Sequence, residues 1–543
     1  MSLIISYIPD WNIFGQAFIA LLFPMAAYRM YKRVYAFVGQ KKSREHAETS
    51  GTEDQKLTPP RSFSGDYRTD LHTIREVIGE NDDLQSREFI MQRLNAQASL
   101  FYINGMQNDR VLNLKIMEFL MFEATAETLD AGTGADSMLP FRNLKEAPDL
   151  DSFNRSVLFG HAGLLIEGFP RGMLIELPGG PNRAITEPVS EALLRGPRLG
   201  FSEVLSENTS MLRRQGFSDK IVIKNYRVGT TLQRDLAIAY IKDIVNPDLL
   251  EEVRMRISRM EMDFIADSGY VEQLIEDNYL SPFQQTQNTE RPDRVINAMM
   301  EGRIAILLDG SSFALIVPAT FSMLLQSPED YYERWLPSSL LRMLRFAAAF
   351  LALMVPALYI SFISFHPGLI PTELALSIIE TRQGVPFPPL IEVLILEVSI
   401  EVLREAGIRL PKPIGPAMGI VGGLIIGDAA VQAGIVSPFL VIVIAVTAIS
   451  SFSIPTYSAG ITLRLLRFVG MLFAAFLGMF GTILFFLLLC SHLTKLRSFG
   501  VPYLTPVSPY RARDWKDLFV RAPLLLMKRR PAMLKTQKTK RKP

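Results

Sequence analysis

Residues 386–455 have the sequence PFPPLIEVLILEVSIEVLREAGIRLPKPIGPAMGIVGGLIIGDAAVQAGIVSPFLVIVIAVTAISSFSIP. Glutamates interrupt an apolar helix at the start of this stretch, a row of glycines follows, and a long uncharged run ends it. Soluble proteins rarely combine these features, whereas membrane proteins that move ions or solutes often do. We therefore predict that this stretch lies in a membrane and that the rest of the chain is arranged around it.

The helix predicted at Leu390–Leu410 carries most of the charge. At 100° per residue, Glu397, Glu401, Arg404 and Glu405 share one arc of about 100°, and Glu392 lies off it. One interpretation is an interfacial helix, or an internal helix whose glutamates pair with Arg404. The other is a face that lines a water-filled path and attracts cations. The residues leave both open, and the pore-lining candidates are Glu392, Glu397, Glu401, Glu405 and Asp428.

Four glycines follow this helix at four-residue spacing and therefore share one face of the next helical segment: Gly415, Gly419, Gly423 and Gly427. Small residues let membrane helices approach closely, so we predict a helix-packing face; glycine scattered for flexibility is the alternative. Asp428 comes directly after this row. An ionisable group at membrane depth usually faces protein or water, which is why Asp428 is among the candidates.

Membrane spans are predicted from uncharged runs of about 20 residues. The clear candidates are Phe346–Phe365, Ser437–Ile454 and Phe468–Leu489, with a fourth, broken by Asp428, at Ile414–Ile435. If Leu390–Leu410 does not cross, these four place both the soluble part and the basic tail inside. If it does cross, the tail is outside and Arg464 and Arg467 are inside. The larger charge of the tail favours the first arrangement, in which the number of membrane crossings is even.

The soluble part is predicted to contain two α/β subdomains, at residues 67–204 and 205–333. Two similar β-hairpins, Gly163–Pro178 and Ala305–Pro318, suggest a duplication, although short hairpins resemble each other easily. We also predict helices at Asp70–Asn81 and Asp83–Leu94, and a polar connector at residues 275–297. The fold class is thus an α+β soluble domain followed by an all-α multispanning membrane domain at residues 334–492.

The two ends of the chain differ in character. Residues 1–30 are predicted to form a membrane anchor or an interfacial helix, and residues 31–66 a linker. Residues 493–543 form a basic tail, in which Arg511–Pro543 carries twelve Lys or Arg against Asp514 and Asp517. A basic tail beside a membrane suits anionic lipid headgroups, at about 1 kcal/mol per charge. Nucleic acid is disfavoured because no folded binding motif accompanies the charge.

Composition argues against several classes of protein. Cys490 is the only cysteine, so no intramolecular disulfide or thiolate cluster can form. The five histidines lack metal-ligand spacing, and the glycine row lacks the Lys and Ser/Thr of a phosphate loop. We therefore predict a protein that is not an enzyme and has no metal and no cofactor.

Several continuous stretches resemble the A subunits of spore germinant receptors, the GerA type of endospore-forming bacteria. They include IEDNYLSPFQQTQNTERPDRV at residues 275–295, SPEDYYERW at 327–335, the stretch from Pro386 to Pro411, and SFGVPY at 498–503. The resemblance covers Tyr67–Arg530. The apolar start before Arg29 lies outside the family pattern, which leaves the topology of the N-terminus open.

The resemblance implies a nutrient receptor subunit in the spore inner membrane, with its soluble domain and tail on the cytoplasmic (core) side. It implies a pentameric, ligand-gated channel for monovalent cations that acts with a multispanning B subunit and a C lipoprotein. Ligand binding is assigned to the B subunit in that family, so no ligand residue is transferred. The related stage V sporulation AF proteins share most of these motifs, but the basic tail favours a receptor A subunit. A secondary transporter and a non-conducting scaffold remain as alternatives.

Overall fold

A computed structural model describes residues 61–541, apart from residues 108–110, 127–128, 130–142, 178–186, 189, 217 and 410–426. The predicted anchor at residues 1–30, most of the linker, and Gly415, Gly419 and Gly423 therefore lie outside the described residues. Residues from Ser62 onward form one unit.

The first sheet contains five antiparallel strands in the order β1-β2-β4-β5-β3. The strands are β1 (Leu84–Met91), β2 (Ala96–Ile103), β3 (Asn143–Glu146), β4 (Ala162–Ile166) and β5 (Met173–Glu176). Helices α1 (Tyr67–Ile78) and α2 (Leu150–Leu158) pack on one face, and helical turns at Val111–Ile116 and Phe119–Glu123 cover the other. Both faces are buried because successive side chains such as Leu100 and Phe101 point to opposite sides.

The second sheet has the order β6-β7-β9-β10-β8. The strands are β6 (Ile221–Val228), β7 (Arg234–Ile241), β8 (Gln287–Thr289), β9 (Ile304–Leu308) and β10 (Ala314–Val317). One face is covered by α3 (Leu205–Arg214) and α6 (Pro292–Glu301), and the other by α4 (Pro247–Ser258) and α5 (Ser268–Ile275). Each helix presents an apolar stripe to the sheet, as Leu249, Val253 and Ile257 of α4 do.

The two sheets repeat one topology. In chain order, each sheet has two paired strands, then an edge strand, and then a hairpin. In space, the hairpin lies between the paired strands and the edge strand. Both predicted hairpins are present, as β4–β5 and β9–β10, and a helix precedes each of them. The shared order supports the duplication that the hairpins suggested. The division at residues 204 and 205 stays a proposal.

Two of the predicted elements were wrong. The segment Asp83–Leu94 is strand β1 and not a helix, because it is an edge strand whose pairing with β2 outweighs its weak helical pattern. The connector at residues 275–297 contains strand β8 and the beginning of α6. Its polar residues gave little sign of the short strand, whose three residues pair with β10.

A buried ion pair joins the two sheets. Arg213 of α3 is 2% exposed, and it donates to both carboxylate oxygens of Asp83 at 2.6 and 2.7 Å and to Asn81 at 2.9 Å. The main chain of Asp82 also donates to Ile223 of β6. The loop before β1 is thereby attached to the second sheet.

After the second sheet the chain becomes helical. Two single turns, α7 (Phe321–Leu324) and α8 (Glu329–Tyr332), lead into α9 (Trp335–Ser364), followed by α10 (Thr372–Arg382), α11 (Pro389–Arg409), α12 (Pro438–Phe452) and α13 (Tyr457–Lys495). Within the described part of the chain, α9 and α13 are the helices with the length and apolar composition needed to cross a membrane. Helix α9 contains the predicted span Phe346–Phe365, apart from its last residue. The predicted span Phe468–Leu489 lies in α13 but is not one crossing, because the helix folds back at Gly478. The predicted span Ser437–Ile454 is the shorter helix α12.

Helix α13 folds back on itself at Gly478, which has φ 61° and ψ −139°. The Phe473 and Phe485 ring centroids are 5.9 Å apart, although 12 residues of straight helix would separate them by about 18 Å. The second arm returns along α9, where Ser361 and Thr482 share a hydrogen bond of 2.6 Å. The helix is therefore an antiparallel hairpin with arms at residues 457–477 and 479–495.

The C-terminal residues are bound to the rest of the protein. They form the strand pair β11 (Arg497–Ser498) and β12 (Val501–Pro502), followed by short 3-10 turns at Asp514–Asp517, Leu524–Leu526 and Ala532–Leu534. Tyr503 is fully buried and donates to the carbonyl of Gln284 at 2.7 Å. The basic composition of this tail predicted lipid adsorption but gave no sign of these contacts.

Candidate functional site

The centre of the candidate site is an ion pair between α11 and the first arm of α13. Glu397 and Arg467 are each 2% exposed, and Glu397 Oε2 is 2.8 Å from Arg467 Nη2. The two residues come together because α11 and this arm pack side by side. Arg467 lies ten residues after the start of α13, so the pair lies within the apolar helices and not at their ends.

Glu401, one turn after Glu397, lies between two more arginines. Its Oε2 is 3.2 Å from Arg404 Nη1 on the same helix, and its Oε1 is 3.2 Å from Arg464 Nε on α13. Arg404 also donates to Ser451 Oγ of α12 at 2.9 Å. The pairing of Glu401 with Arg404 expected from their spacing is present, and three helices meet at this carboxylate.

The cluster contains two carboxylates and three guanidinium groups, and its hydrogen bonding is incomplete. Glu397 Oε1, Arg404 Nε and Arg467 Nε are buried without a hydrogen-bond partner in this chain. Buried polar atoms of charged groups are costly to leave unpaired. Glu397 Oε1 can therefore accept one further hydrogen bond, and Arg404 Nε and Arg467 Nε can each donate one.

The other three acidic candidates lie outside this cluster. Glu392 is fully buried, accepts from Arg382 Nη2 at 2.6 Å and faces the N-terminus of α12 at Ser437. Glu405 is largely exposed and pairs with Arg409 at 2.6 Å. Asp428 accepts from Gln432 at 2.7 Å near the surface. The helical wheel thus separated Glu392 correctly from the face of Glu397 and Glu401, but it also put Glu405 on that face, and Glu405 lies at the surface outside the cluster.

The arginines of α13 are the site residues that sequence reasoning missed. Arg464 and Arg467 served there only as markers of membrane orientation. Their three-residue spacing puts them on one face of a helix, and it matches the four-residue spacing of Glu397 and Glu401. That complementary spacing was the available signal. Of the glycine row, the described Gly427 is buried and lies near Val441 of α12.

A second group of contacts joins the helices to the second sheet through residues 276–288. Ser281 Oγ and His492 Nε2 share a hydrogen bond of 2.9 Å at the end of α13. Thr462 Oγ1, near the beginning of α13, donates to the carbonyl of Pro282 at 2.7 Å. Ser498 Oγ donates to the carbonyl of Gln285 at 2.6 Å. Both ends of the α13 hairpin are therefore held by one connecting segment.

Comparison with known proteins decides the family. Residues 72–533 match the family model described as Bacillus/Clostridium GerA spore germination protein. The chain belongs to this family. The match covers most of the chain, and it confirms the resemblance expected from the continuous motifs in the sequence.

Two relatives of this GerA-family chain align over nearly their whole length. Spore germination protein GerLA of Bacillus cereus is 41% identical over 468 residues, which are 86% of this chain and 95% of the relative. Spore germination protein A1 of Bacillus subtilis (strain 168) is 40% identical over 457 residues, 84% of this chain and 93% of the relative. A crystal structure of the N-terminal domain of the A subunit of the Bacillus megaterium spore germinant receptor GerK3 has a TM-score of 0.37 and 28% identity, covering 48% of this chain and 98% of that domain.

Proposed function

We propose that this GerA-family protein is the A subunit of a nutrient-responsive germinant receptor and forms an oligomeric, ligand-gated cation channel in the spore inner membrane. The observation that carries the proposal is the burial of Glu397 between the apolar helices α11 and α13, with the partly exposed Glu401 one turn away. Carboxylates at membrane depth are retained where they serve an ion path or a buried pair. Here they belong to a cluster whose hydrogen bonding is incomplete.

The cluster suggests how conduction is controlled. In the described conformation Arg464 and Arg467 neutralise the two glutamates, so the carboxylates cannot attract a cation. A small shift of the α13 hairpin against α11 would separate the pairs and turn the carboxylates toward a path between helices. The connecting segment 276–288 holds both ends of that hairpin, so it would link the shift to the soluble part.

The contacts of α13 and the tail with the α/β part support an even number of membrane crossings. Helix α9 begins at the α/β part, the second arm of α13 ends there at His492, and Gln537 of the tail donates to the carbonyl of Val245 at 2.9 Å. The soluble part and the tail therefore share one side, which we take as cytoplasmic because Arg342, Arg345 and the tail are basic. The α13 hairpin adds a crossing that the sequence did not suggest, so an even number now requires helix α11 (Leu390–Leu410 in the sequence prediction) to cross as well.

The remaining features of the proposal follow the family resemblance. The protein has a multispanning, all-α membrane domain. It assembles as a homo-oligomer, a pentamer, and acts with a B subunit and a C lipoprotein. Monovalent cations pass through it, and lipids contact the exposed apolar faces of α9 and α13. No cofactor is required for this function.

Reconstitution into liposomes tests the proposal. We expect potassium efflux from the assembled oligomer, and we expect Glu397→Gln or Glu401→Gln to change its rate or its potassium-to-chloride selectivity by about tenfold. Glu405→Gln is the matched control, since Glu405 lies on the same helix but pairs with Arg409 at the surface. Absence of cation flux from a well-formed oligomer would rule out the channel.

The pairing itself favours a second candidate, a scaffold that does not conduct. Each of the two cluster glutamates already has an arginine partner, as expected of a purely structural cluster. In that case Glu397→Gln and Glu401→Gln leave ion release unchanged while they lower stability. A stage V AF-type amplifier would instead conduct without responding to a nutrient of its own.

A further inference from the structure

A buried charge cluster fixes the beginning of α9. Arg342 is fully buried, and its Nε donates to Asp330 Oδ2 at 3.0 Å. Its Nη1 donates to Asp517 at two atoms, Oδ1 at 2.7 Å and the carbonyl oxygen at 2.8 Å. Arg345 donates to the other oxygen of Asp330 at 2.7 Å. The guanidinium of Arg342 is thus held between a carboxylate that precedes α9 and one from the C-terminal segment.

Further contacts of the same segment enclose the first turns of α9. Tyr331 donates to Asp517 Oδ2 at 2.5 Å, and Arg521, which is 2% exposed, donates to the carbonyl of Glu333 at 2.7 Å. The main-chain N–H of Arg521 donates to Ser339 Oγ at 3.1 Å. Ring centroids of Phe519 and Phe346 are 4.7 Å apart. We call residues 514–541 the C-terminal strap.

The other end of the C-terminal strap is attached to the second sheet and its helices. Arg530 Nε donates to the carbonyl of Met300, the penultimate residue of α6, at 2.7 Å. Gln537 donates to Val245 in the loop before α4, and Lys538 pairs with Asp243 at 2.5 Å. Two separated parts of the strap therefore bind two different parts of the protein.

We propose that the C-terminal strap sets the position of α9 against the second α/β subdomain and transmits the state of the soluble part to the membrane helices. Asp517 and Arg521 are its positioning residues. The strap joins the subdomain to α9 by charge-assisted hydrogen bonds at one end and by polar contacts at the other, so movement of the subdomain moves α9. This inference rests on the proposed channel function for its final readout, but its structural part can be tested separately.

The first experiment measures whether Asp517 holds the strap on α9. Ser339→Cys is introduced into the full chain with Cys490→Ser, and labelling of the buried thiol by a maleimide is timed in detergent. We expect labelling to become about tenfold faster with Asp517→Asn, because the strap opens more often. Lys516→Gln, an exposed change in the adjacent residue, should leave the rate unchanged. Equal rates in both variants would overturn the proposal.

The second experiment measures transmission. In spores where this chain supplies the A subunit, potassium release is triggered with a casein hydrolysate. We expect Asp517→Asn to slow the triggered release by about fivefold relative to Lys516→Gln. Faster labelling with unchanged potassium release would show that the strap is only structural, and it would overturn the proposed transmission.

A milder variant guards against loss of folding. Arg521→Lys keeps the charge but loses the forked donors to Glu333 and Tyr331, so it should show the same two effects in weaker form. If the wild-type protein releases no potassium while the labelling difference is present, the channel proposal fails and the attachment of the strap stands. If the wild-type protein releases potassium but Asp517→Asn does not change the labelling rate, the channel proposal stands and the attachment of the strap fails.

Discussion

Arg467 and Glu397 show how a charged residue is tolerated in the middle of an apolar helix. A single arginine at membrane depth is expensive, but a partner of opposite charge on the neighbouring helix offsets part of that cost. Both side chains are almost fully buried, so neither can be satisfied by solvent. Removing one partner should therefore be far more damaging than removing both.

We predict that Arg467→Gln lowers the free energy of unfolding by about 3–5 kcal/mol, because it leaves Glu397 buried without its charge partner. The double variant Glu397→Gln/Arg467→Gln should recover part of this loss. Thermal unfolding of the full chain in detergent measures both effects. Arg409→Gln, which breaks the exposed pair with Glu405, is the control and should cost about 0–1 kcal/mol. Equal losses in the two single variants would contradict the assignment.

Glu272 of α5 gives a pH-dependent prediction in the soluble part. Burial raises the pKa of Glu272 to about 7, and burial likewise raises the pKa of Glu276 to about 7. A carboxyl group whose pKa is higher in the folded state stabilises the fold most below its unfolded pKa of 4.5, and this contribution is lost as the pH rises to about 7. Glu272→Gln removes that dependence.

The melting temperature should therefore fall less between pH 5 and pH 8 in Glu272→Gln than in the wild type, by an amount corresponding to about 1–2 kcal/mol. Exposed Glu261→Gln is the control and should follow the wild-type curve. Parallel curves for the wild type and Glu272→Gln would show that Glu272 titrates normally.

Among the elements, the α13 hairpin depends most on a single residue. Gly478 has φ 61° and ψ −139°, a region that is essentially restricted to glycine. A Cβ at this position would lie 2.9 Å from Cγ of Phe365. The turn between the two arms is therefore tight both in its backbone and in its surroundings.

We predict that Gly478→Ala destabilises the protein by about 1–3 kcal/mol, since the backbone there is strained for any residue with a Cβ. The melting temperature in detergent measures this loss. Gly368→Ala is the matched control, because no atom lies within 4 Å of its added Cβ. If both variants melt alike, the hairpin does not depend on the turn at Gly478.

The sequence predicted those elements whose local pattern matches their tertiary role. The hairpins β4–β5 and β9–β10 were predictable because turns containing Gly168 and Gly310 separate two apolar runs. Strand β1 was not, since its edge position leaves it without a clear alternation. The fold-back at Gly478 was hidden because the apolar run continues on both sides of it. Helical spacing predicted the pairing of Glu401 with Arg404. The partners Arg464 and Arg467 lie more than 60 residues away, and helical periodicity alone cannot show that α11 and α13 pack together.

At the scale of the whole molecule, the contacts of the C-terminal strap with the second sheet carry our proposal for the side of the membrane on which each part lies. The strap residue Lys516 and the first-sheet residue Ser86 belong to parts that we place on one side of the membrane. The loop after α9, which contains Gly368, then lies on the other side.

We predict that single cysteines at these three exposed positions, in a Cys490→Ser background, label accordingly. In sealed right-side-out vesicles an impermeant maleimide should react with Gly368→Cys and should reach Ser86→Cys and Lys516→Cys only after permeabilisation. Permeabilised vesicles provide the control for reactivity. Opposite behaviour of Ser86→Cys and Lys516→Cys would exclude an even number of crossings.

The fold-back of α13 also has a consequence for how the protein is made. Its first arm carries Arg464 and Arg467, each of which disfavours insertion of an isolated helix by about 2.5–3.5 kcal/mol. The glutamates that pair with them are synthesised earlier, on α11, and are already present when this arm leaves the ribosome. We therefore expect the arm to enter the bilayer together with its uncharged second arm and against α11. The order of the elements along the chain thus assists biogenesis as well as the final structure.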